Sequence, residues 1–224
     1  MKRTIELHKS LTPIEVLQTR KRFGIHAVLA TVLVVFAALS TGWAQVPACA
    51  EGKLSDYEKL SRSGCLIGDK QFFDFQYQQG VGGLPSAAIS VTPGTTPITD
   101  DPGILFEGKW AAMSHDSYVS YTVAAIPNGR RINGASLEMQ FGQITGPGKA
   151  SVTTELCPIN EAGQSCGTKK VELQVVLSDD GKRKATDIAK FQQPQTEIRV
   201  TTPVEVSPGK GGDVELGGFM TVFQ

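Results

Sequence analysis

From Gln71 to the end of the chain, apolar and polar positions alternate in short runs separated by turn residues. Phe73, Phe75 and Tyr77 alternate with Asp74 and Gln76, the two-residue period of a strand with one buried face. Phe72 breaks that alternation and predicts a bulge or the strand's entry. Ala88 to Thr92 reads as a short strand with Ile89 and Val91 on one side, and Gly103 to Ala111 as another with Ile104, Phe106 and Trp110 inward. In Ser117 to Ala125, Val119, Tyr121 and Val123 alternate with Ser120 and Thr122. Ala135 to Phe141 and Ala150 to Leu156 flank Gly146-Pro147-Gly148 and predict a hairpin. Val171 to Leu177 leads into Asp179-Asp180-Gly181, a hairpin turn from which Ala185 to Phe191 should pair back. Glu197 to Val200, Val204 to Val206 and Val214 to Val222 complete roughly ten short strands, the spacing of an antiparallel sandwich or barrel.

Before these strands the period is helical. Ser55-Asp56-Tyr57-Glu58 has the spacing of a capping box, so a short helix is expected from Asp56 to about Arg62, with Gly64 stopping it. The fold class is therefore all-β, an antiparallel β-sandwich of jelly-roll or immunoglobulin-like type with one short N-terminal helix.

The first 44 residues follow a different logic. A polar, basic stretch to His26 precedes the uncharged run Ala27 to Leu39, and small residues follow at Gly42 and Ala44. That order is a secretory signal, with cleavage expected after Ala44. The apolar run is 13 residues, short of the ~20 of a spanning helix, so membrane contact is expected only through this segment if it stays uncleaved. Arg20-Lys21-Arg22 lacks an adjacent arginine pair, which favours general secretory export over the twin-arginine route. The prediction is a signal over 1–44 and a single exported domain over 45–224.

Charge and cysteines narrow the partners. Removing 1–44 takes away six Lys/Arg and two Asp/Glu, leaving 16 basic and 20 acidic residues, a net −4. That speaks against nucleic acid, which needs basic patches. Four cysteines, Cys49, Cys65, Cys157 and Cys166, remain in an exported chain and predict disulfides. Of the three pairings, the local ones, Cys49–Cys65 and Cys157–Cys166, each bracket a plausible closed loop. No C-x-x-C pair supports zinc.

Catalytic chemistry is thin. The sole histidine after residue 44, His115, lies between Ser114 and Asp116, but side chains of consecutive strand residues alternate faces and do not converge as a triad. It is expected in a loop before the strand at 117. Carboxylate pairs that glycoside hydrolysis would need occur as Asp69 with Asp74, Asp100 with Asp101 and Asp179 with Asp180, each in a turn or loop setting that explains it structurally. Asp100 and Asp101, with loop carbonyls, are the candidates for a Ca²⁺ site, the one cofactor considered. The Gly80 to Gly83 string lacks the following helix of a dinucleotide fingerprint. Trp110 and Tyr118 are the candidates for ligand contact, by stacking on sugar rings if they are exposed on one sheet.

The segment Cys65-Leu66-Ile67-Gly68-Asp69-Lys70-Gln71-Phe72-Phe73-Asp74-Phe75-Gln76-Tyr77 resembles a string shared by uncharacterised exported bacterial proteins, many of which end in a PEP-CTERM surface-sorting tail. The strand at Ser117 to Val123 and the pair Cys157 and Cys166 are similar to two further shared blocks. The resemblance implies a secreted β-rich domain and no activity. The chain ends at Phe223-Gln224 without a Pro-Glu-Pro motif, so free secretion or retention in the periplasm is expected instead of surface sorting. The function expected from the sequence is an exported non-catalytic β-sandwich, structural, adhesive or ligand-binding, with polysaccharide or envelope and matrix components as partners. The alternatives are a carboxylate-dependent, glycosidase-like hydrolase and a carbohydrate-binding module.

Overall fold

The alternation in the sequence becomes two facing sheets. In the computed structural model, which describes residues 46–96, 99–111, 114–159 and 170–224, one sheet has seven strands and the other six, and every strand pair is antiparallel. The strands are β1 (Gly52–Lys53), β2 (Cys65–Ile67), β3 (Lys70–Gln78), β4 (Ser90–Thr95), β5 (Pro102–Ala111), β6 (Ser114–Ala125), β7 (Ile132–Thr145), β8 (Gly148–Pro158), β9 (Val171–Ser178), β10 (Arg183–Lys184), β11 (Thr186–Gln195), β12 (Glu197–Pro208) and β13 (Asp213–Phe223). The seven-stranded sheet runs β10-β9-β8-β12-β6-β3-β2 and the six-stranded sheet β1-β4-β5-β13-β7-β11. The expected antiparallel sandwich is the fold.

The inner faces interlock through aromatic rings. Phe72, Phe75 and Tyr121 from the seven-stranded sheet meet Phe106, Phe219 and Phe223 from the six-stranded one. Ring centroids are 5.3 Å apart for Phe75–Tyr121, 5.8 Å for Phe106–Tyr121 and 5.7 Å for Phe72–Phe223. Each is essentially fully buried and contributes on the order of 2–3 kcal/mol by leaving water. Around them Val119, Val123, Ile198, Val200, Val204, Leu137 and Leu216 fill the interior. Two hydroxyls share this core without penalty, because Thr154 and Thr202 hydrogen-bond each other at 3.0 Å.

Four expectations need correction. The helix is shorter and earlier: α1 (Leu54–Tyr57) passes into a 3-10 turn at Glu58–Leu60. No side chain caps it. Glu58 instead accepts the backbone N–H of Tyr77 at 3.2 Å, so the carboxylate serves the neighbouring strand and the capping box does not form. Gly64 does adopt the left-handed conformation (φ +55°), and a Cβ there would lie 2.2 Å from the Phe72 carbonyl oxygen. The bulge falls at Asp74 (φ +54°), between the pairs Phe73–Thr122 and Gln76–Ser120, where β3 spends one residue more than β6. Phe72 therefore points inward and Phe73 outward, the reverse of the expected arrangement.

The third correction concerns the chain after Asp179-Asp180-Gly181. Only Arg183 and Lys184 pair back on β9. The chain then changes sheets: the Ala185 carbonyl accepts from Met139 N–H at 2.8 Å, and Thr186 to Lys190 pair with β7. The fourth is β12, one continuous strand and not two. Pro203 lies within it opposite Tyr118, and the register slips only later, between Val204 and Val206.

The lead-in is bonded along the edge of the seven-stranded sheet. Leu66 N–H donates to the Pro47 carbonyl at 2.8 Å, and Cys49 N–H to the Leu66 carbonyl at 2.9 Å. The Cys49–Cys65 disulfide joins the two segments, as expected. Cys157 is also disulfide-bonded, while Cys166, its expected partner, lies outside the described residues, as does the expected signal segment. No helix among the described residues is long and apolar enough to cross a membrane.

Candidate functional site

The middle strands of the seven-stranded sheet put chemically different side chains on their two faces. On β6, Val119, Tyr121 and Val123 are buried inside, so Tyr118, Ser120 and Thr122 face out. On β12, Ile198, Val200 and Thr202 face in, so Arg199, Thr201 and Pro203 face out. On β3, Gln76 and Gln78 join the same outer face by alternation and Phe73 through the bulge.

Strand register sorts these groups into rows. Gln78 is opposite Tyr118, and Tyr118 opposite Pro203. Gln76 is opposite Ser120, Ser120 opposite Thr201, Thr201 opposite Glu155, and Glu155 opposite Glu172. Phe73 is opposite Thr122, Thr122 opposite Arg199, and Arg199 opposite Cys157. Strands lie about 4.8 Å apart and alternate residues about 6.6 Å, so the rows holding Tyr118 and Phe73 are roughly 13 Å apart along β6.

Small residues on β6 make the floor between longer side chains. Ser120 and Thr122 are each only 3% exposed although they face outward. They lie between the longer side chains of Phe73, Gln76, Thr201 and Arg199, and the Arg199 guanidinium reaches across β6 and donates to Gln76 Oε1 at 3.4 Å. That is long for a hydrogen bond, and among the described residues no carboxylate lies within ion-pairing distance of Arg199. Tyr118, half-buried, donates its hydroxyl to Gln78 Oε1 at 2.5 Å. Further along, Lys170 bonds Glu155 at 2.8 Å and reaches Glu172 at 3.9 Å. The Glu155 hydrogen bond, with the charge of that carboxylate, raises the Lys170 pKa above its ordinary value.

The outer face of the six-stranded sheet is mixed: Glu107 lies opposite Ser90, Glu138 opposite Met220 and Thr186, and Lys109 reaches Glu215 at 4.0 Å, beside an apolar patch. Leu105 sits opposite Met220, Gly103 opposite Val222, and Ser136 links Val222 to Ile188. Phe141 is half exposed and lies over Gly217, where a Cβ would be 2.5 Å from its ring. A cleft of about 240 Å³ beside the Cys49–Cys65 disulfide is lined by Pro47, Glu51, Asp56, Tyr57 and Leu60. Tyr57 donates to the Ala50 carbonyl there at 2.6 Å, and burial pushes its pKa up to about 12.

The residues singled out from the sequence separate. Tyr118 stands on the polar face. Trp110 does not present a ring to a ligand: it is 1% exposed, on the other sheet, packed 5.8 Å from Phe219. Its inward position was legible, but stacking needs the opposite one. Asp100 is exposed with φ +53°, whereas the Asp101 carboxylate is nearly buried and pairs with Arg130 at 3.4 Å. No group of three or more His, Cys, Asp or Glu side chains is poised for a metal among the described residues. Asp180 is held by Ser178 and by Lys182 at 2.7 Å. Asp69 bonds Lys70 at 2.6 Å and Arg130 at 3.3 Å, and Asp74 is the bulge residue. His115 belongs by its backbone to β6, where a loop was expected; its side chain lies outside what is described. Sequence reasoning missed Arg199, Gln76 and Gln78. The alternation of β12 could have found Arg199 and that of β3 Gln76 and Gln78, whereas Phe73 joins Tyr118 on this face only because of the bulge.

Fold and face together define a β-sandwich whose seven-stranded sheet presents an in-register polar row on its outer face. No family model matches the chain, and no curated protein matches it. Among solved structures, the chain is similar to the enzymatically active domain of bacteriophage CBA120 tailspike protein 4, at 8% identity and TM-score 0.33 over 70% of this chain and 19% of that one. It is similar to TmCBM61, solved in complex with β-1,4-galactotriose, at 12% identity and TM-score 0.27 over 70% and 89%. It is also similar to a DUF4465 family protein from Bacteroides caccae, at 12% identity and TM-score 0.25 over 76% and 99%. The chain spans about a fifth of the tailspike chain. Likenesses this distant say nothing about what the chain binds.

Proposed function

We propose that this is an exported, non-catalytic β-sandwich that binds polysaccharide at the cell envelope or outside the cell, using the outer face of its seven-stranded sheet. The observation that carries this reading is the in-register array of Tyr118, Gln78, Gln76, Thr201 and Arg199, with Phe73 at its other end. Sugars present hydroxyls on one edge and apolar C–H groups on their faces. Amides, hydroxyls and a guanidinium answer the first, and half-buried aromatic rings the second. The rows extend across several strands, which suits a chain and not a small molecule, for which an enclosed pocket is usual. The disulfide fits an oxidising compartment.

The carboxylates support binding over hydrolysis. A glycosidase needs one protonated acid and one ionised partner across a cleft. Glu155 and Glu172 are neighbours in register on one sheet face, not facing each other across a cleft, and both are engaged by Lys170, at 2.8 and 3.9 Å. Asp69 and Asp101 are committed to Arg130.

Affinity electrophoresis of the purified chain through gels containing soluble polysaccharides tests the reading. Retardation by at least one polymer is expected, with Tyr118→Ala weakening it roughly tenfold or more, the scale of one lost aromatic stacking contact and its hydrogen bond. Unchanged mobility in neutral and acidic polymers alike would defeat it. Fractionation of the producing cells, with the protein recovered in the cytoplasm, would defeat the export half.

A further inference from the structure

Taking the polysaccharide reading as its basis, the geometry points to an acidic glycan as the ligand, one whose uronate carboxylate is received by Arg199. Three observations converge. Arg199 lies centrally on the face, between Thr122 and the Cys157 row, so a chain crossing from Tyr118 toward Phe73 passes it. Its single side-chain partner among the described residues is the neutral amide of Gln76, at 3.4 Å. A guanidinium carries five donors in a planar fork that matches a carboxylate with two parallel hydrogen bonds. Exchanging one long amide contact for that pair favours the bound state, and Gln76 is then free to meet a sugar hydroxyl. Swinging Arg199 aside also removes one of the long side chains between which Ser120 and Thr122 lie.

The other charges on the face fit this reading. Glu155 and Glu172 are engaged by Lys170. Glu205 accepts from Ser151 at 3.3 Å. Glu197, two residues before Arg199 on the same face, lies toward the start of β12 and forms no ion pair with it. Residues 45–224 carry net −4, so the field of that domain, once residues 1–44 are removed, repels a polyanion. Recognition must then be local, by one fork at short range, and its salt dependence should be shallow, unlike that of a basic patch.

The test uses polygalacturonate, fully methyl-esterified homogalacturonan and dextran sulfate as three probes in affinity gels. The two galacturonans share a backbone and differ in the carboxylate charge. Wild-type protein should be retarded about ten- to a hundredfold more strongly by polygalacturonate than by the ester, the scale of a charge-assisted pair. Arg199→Gln should bring the two to the same level. Arg199→Lys should fall between, since it keeps the charge and loses the fork. Melting curves of both variants establish that they are folded. Equal binding to ester and acid, or binding to dextran sulfate alone, would overturn the uronate assignment while leaving a glycan-binding face standing. Binding to no polysaccharide at all would remove the underlying reading as well.

Discussion

Two polar regions of this sandwich treat charge in opposite ways. At one end, Lys70 is 1% exposed and bonds Asp69 at 2.6 Å. Asp69 also accepts the Arg130 backbone N–H at 2.7 Å and its Nε at 3.3 Å, and Arg130 continues to Asp101. This chain of ion pairs joins the β2–β3 turn, the β6–β7 loop and the approach to β5, so it links the two sheets. On the outer face of the seven-stranded sheet, Arg199 has one long contact to an amide and the other groups reach only nearest neighbours. Charges answered within the chain are scaffold. Groups held weakly are those for which a ligand can compete without first breaking the fold.

Asp69→Asn should break the first region most severely. It leaves the Lys70 ammonium buried without its carboxylate, which costs about 3–5 kcal/mol where such a pair is fully enclosed. Asp69 is partly open to solvent, so the lower end, about 3 kcal/mol, is expected in denaturant titration. Adding Lys70→Met to that variant should recover most of the loss, because the uncompensated charge goes with it. If the double variant is no more stable than Asp69→Asn alone, the ion pair is not what holds this end together.

Acid sharpens the same contrast. Burial raises the Asp69 pKa, but the hydrogen bond from Lys70, with those from Arg130, outweighs it and the net shift is downward. A carboxylate depressed in the folded state stabilises fully above its unfolded pKa of about 3.9, and that contribution is lost as pH falls through the folded value. The wild-type melting temperature should therefore drop below pH 4 more steeply than that of Asp69→Asn. Parallel curves would contradict the assignment. The smallest effects belong to the open face. Arg199→Gln and Thr201→Ala should change stability by no more than about 0.5 kcal/mol, as surface substitutions do, and the effect of Arg199→Gln should appear in binding. A stability loss above about 2 kcal/mol for Arg199→Gln would make Arg199 part of the scaffold and erase the distinction.

Much of the scaffold could be read from the chain. Alternation located β5 and β6 with their inward residues and β9 and β13 as strands, and the Cys49–Cys65 staple followed from even cysteine count and spacing. What alternation cannot give is a change of phase. One inserted residue at Asp74 left Gln76 and Gln78 on the outer phase that alternation gave and turned Phe72 inward and Phe73 outward. The switch of sheets at Ala185 likewise depends on a backbone bond to Met139, far away in sequence. Trp110 shows the limit from the other side. An aromatic on a strand signals either a core or a stacking platform, and burial against Phe219 decides for the core. The face was partly legible, since Tyr118, Ser120, Thr122, Arg199 and Thr201 all fall on the polar phase of their strands. That they form one surface emerges only when β6 and β12 pair.

The most direct test is an amide NMR titration of the folded chain with hexamers cut from whichever polysaccharide the affinity gels retain. Shift changes should concentrate at Gln76, Gln78, Tyr118, Arg199 and Thr201, leaving the Leu105, Met220 and Ile188 side of the other sheet unchanged. Changes confined to that second face, or to the cleft between Pro47 and Leu60, would contradict the assignment of the seven-stranded sheet's outer face as the binding surface.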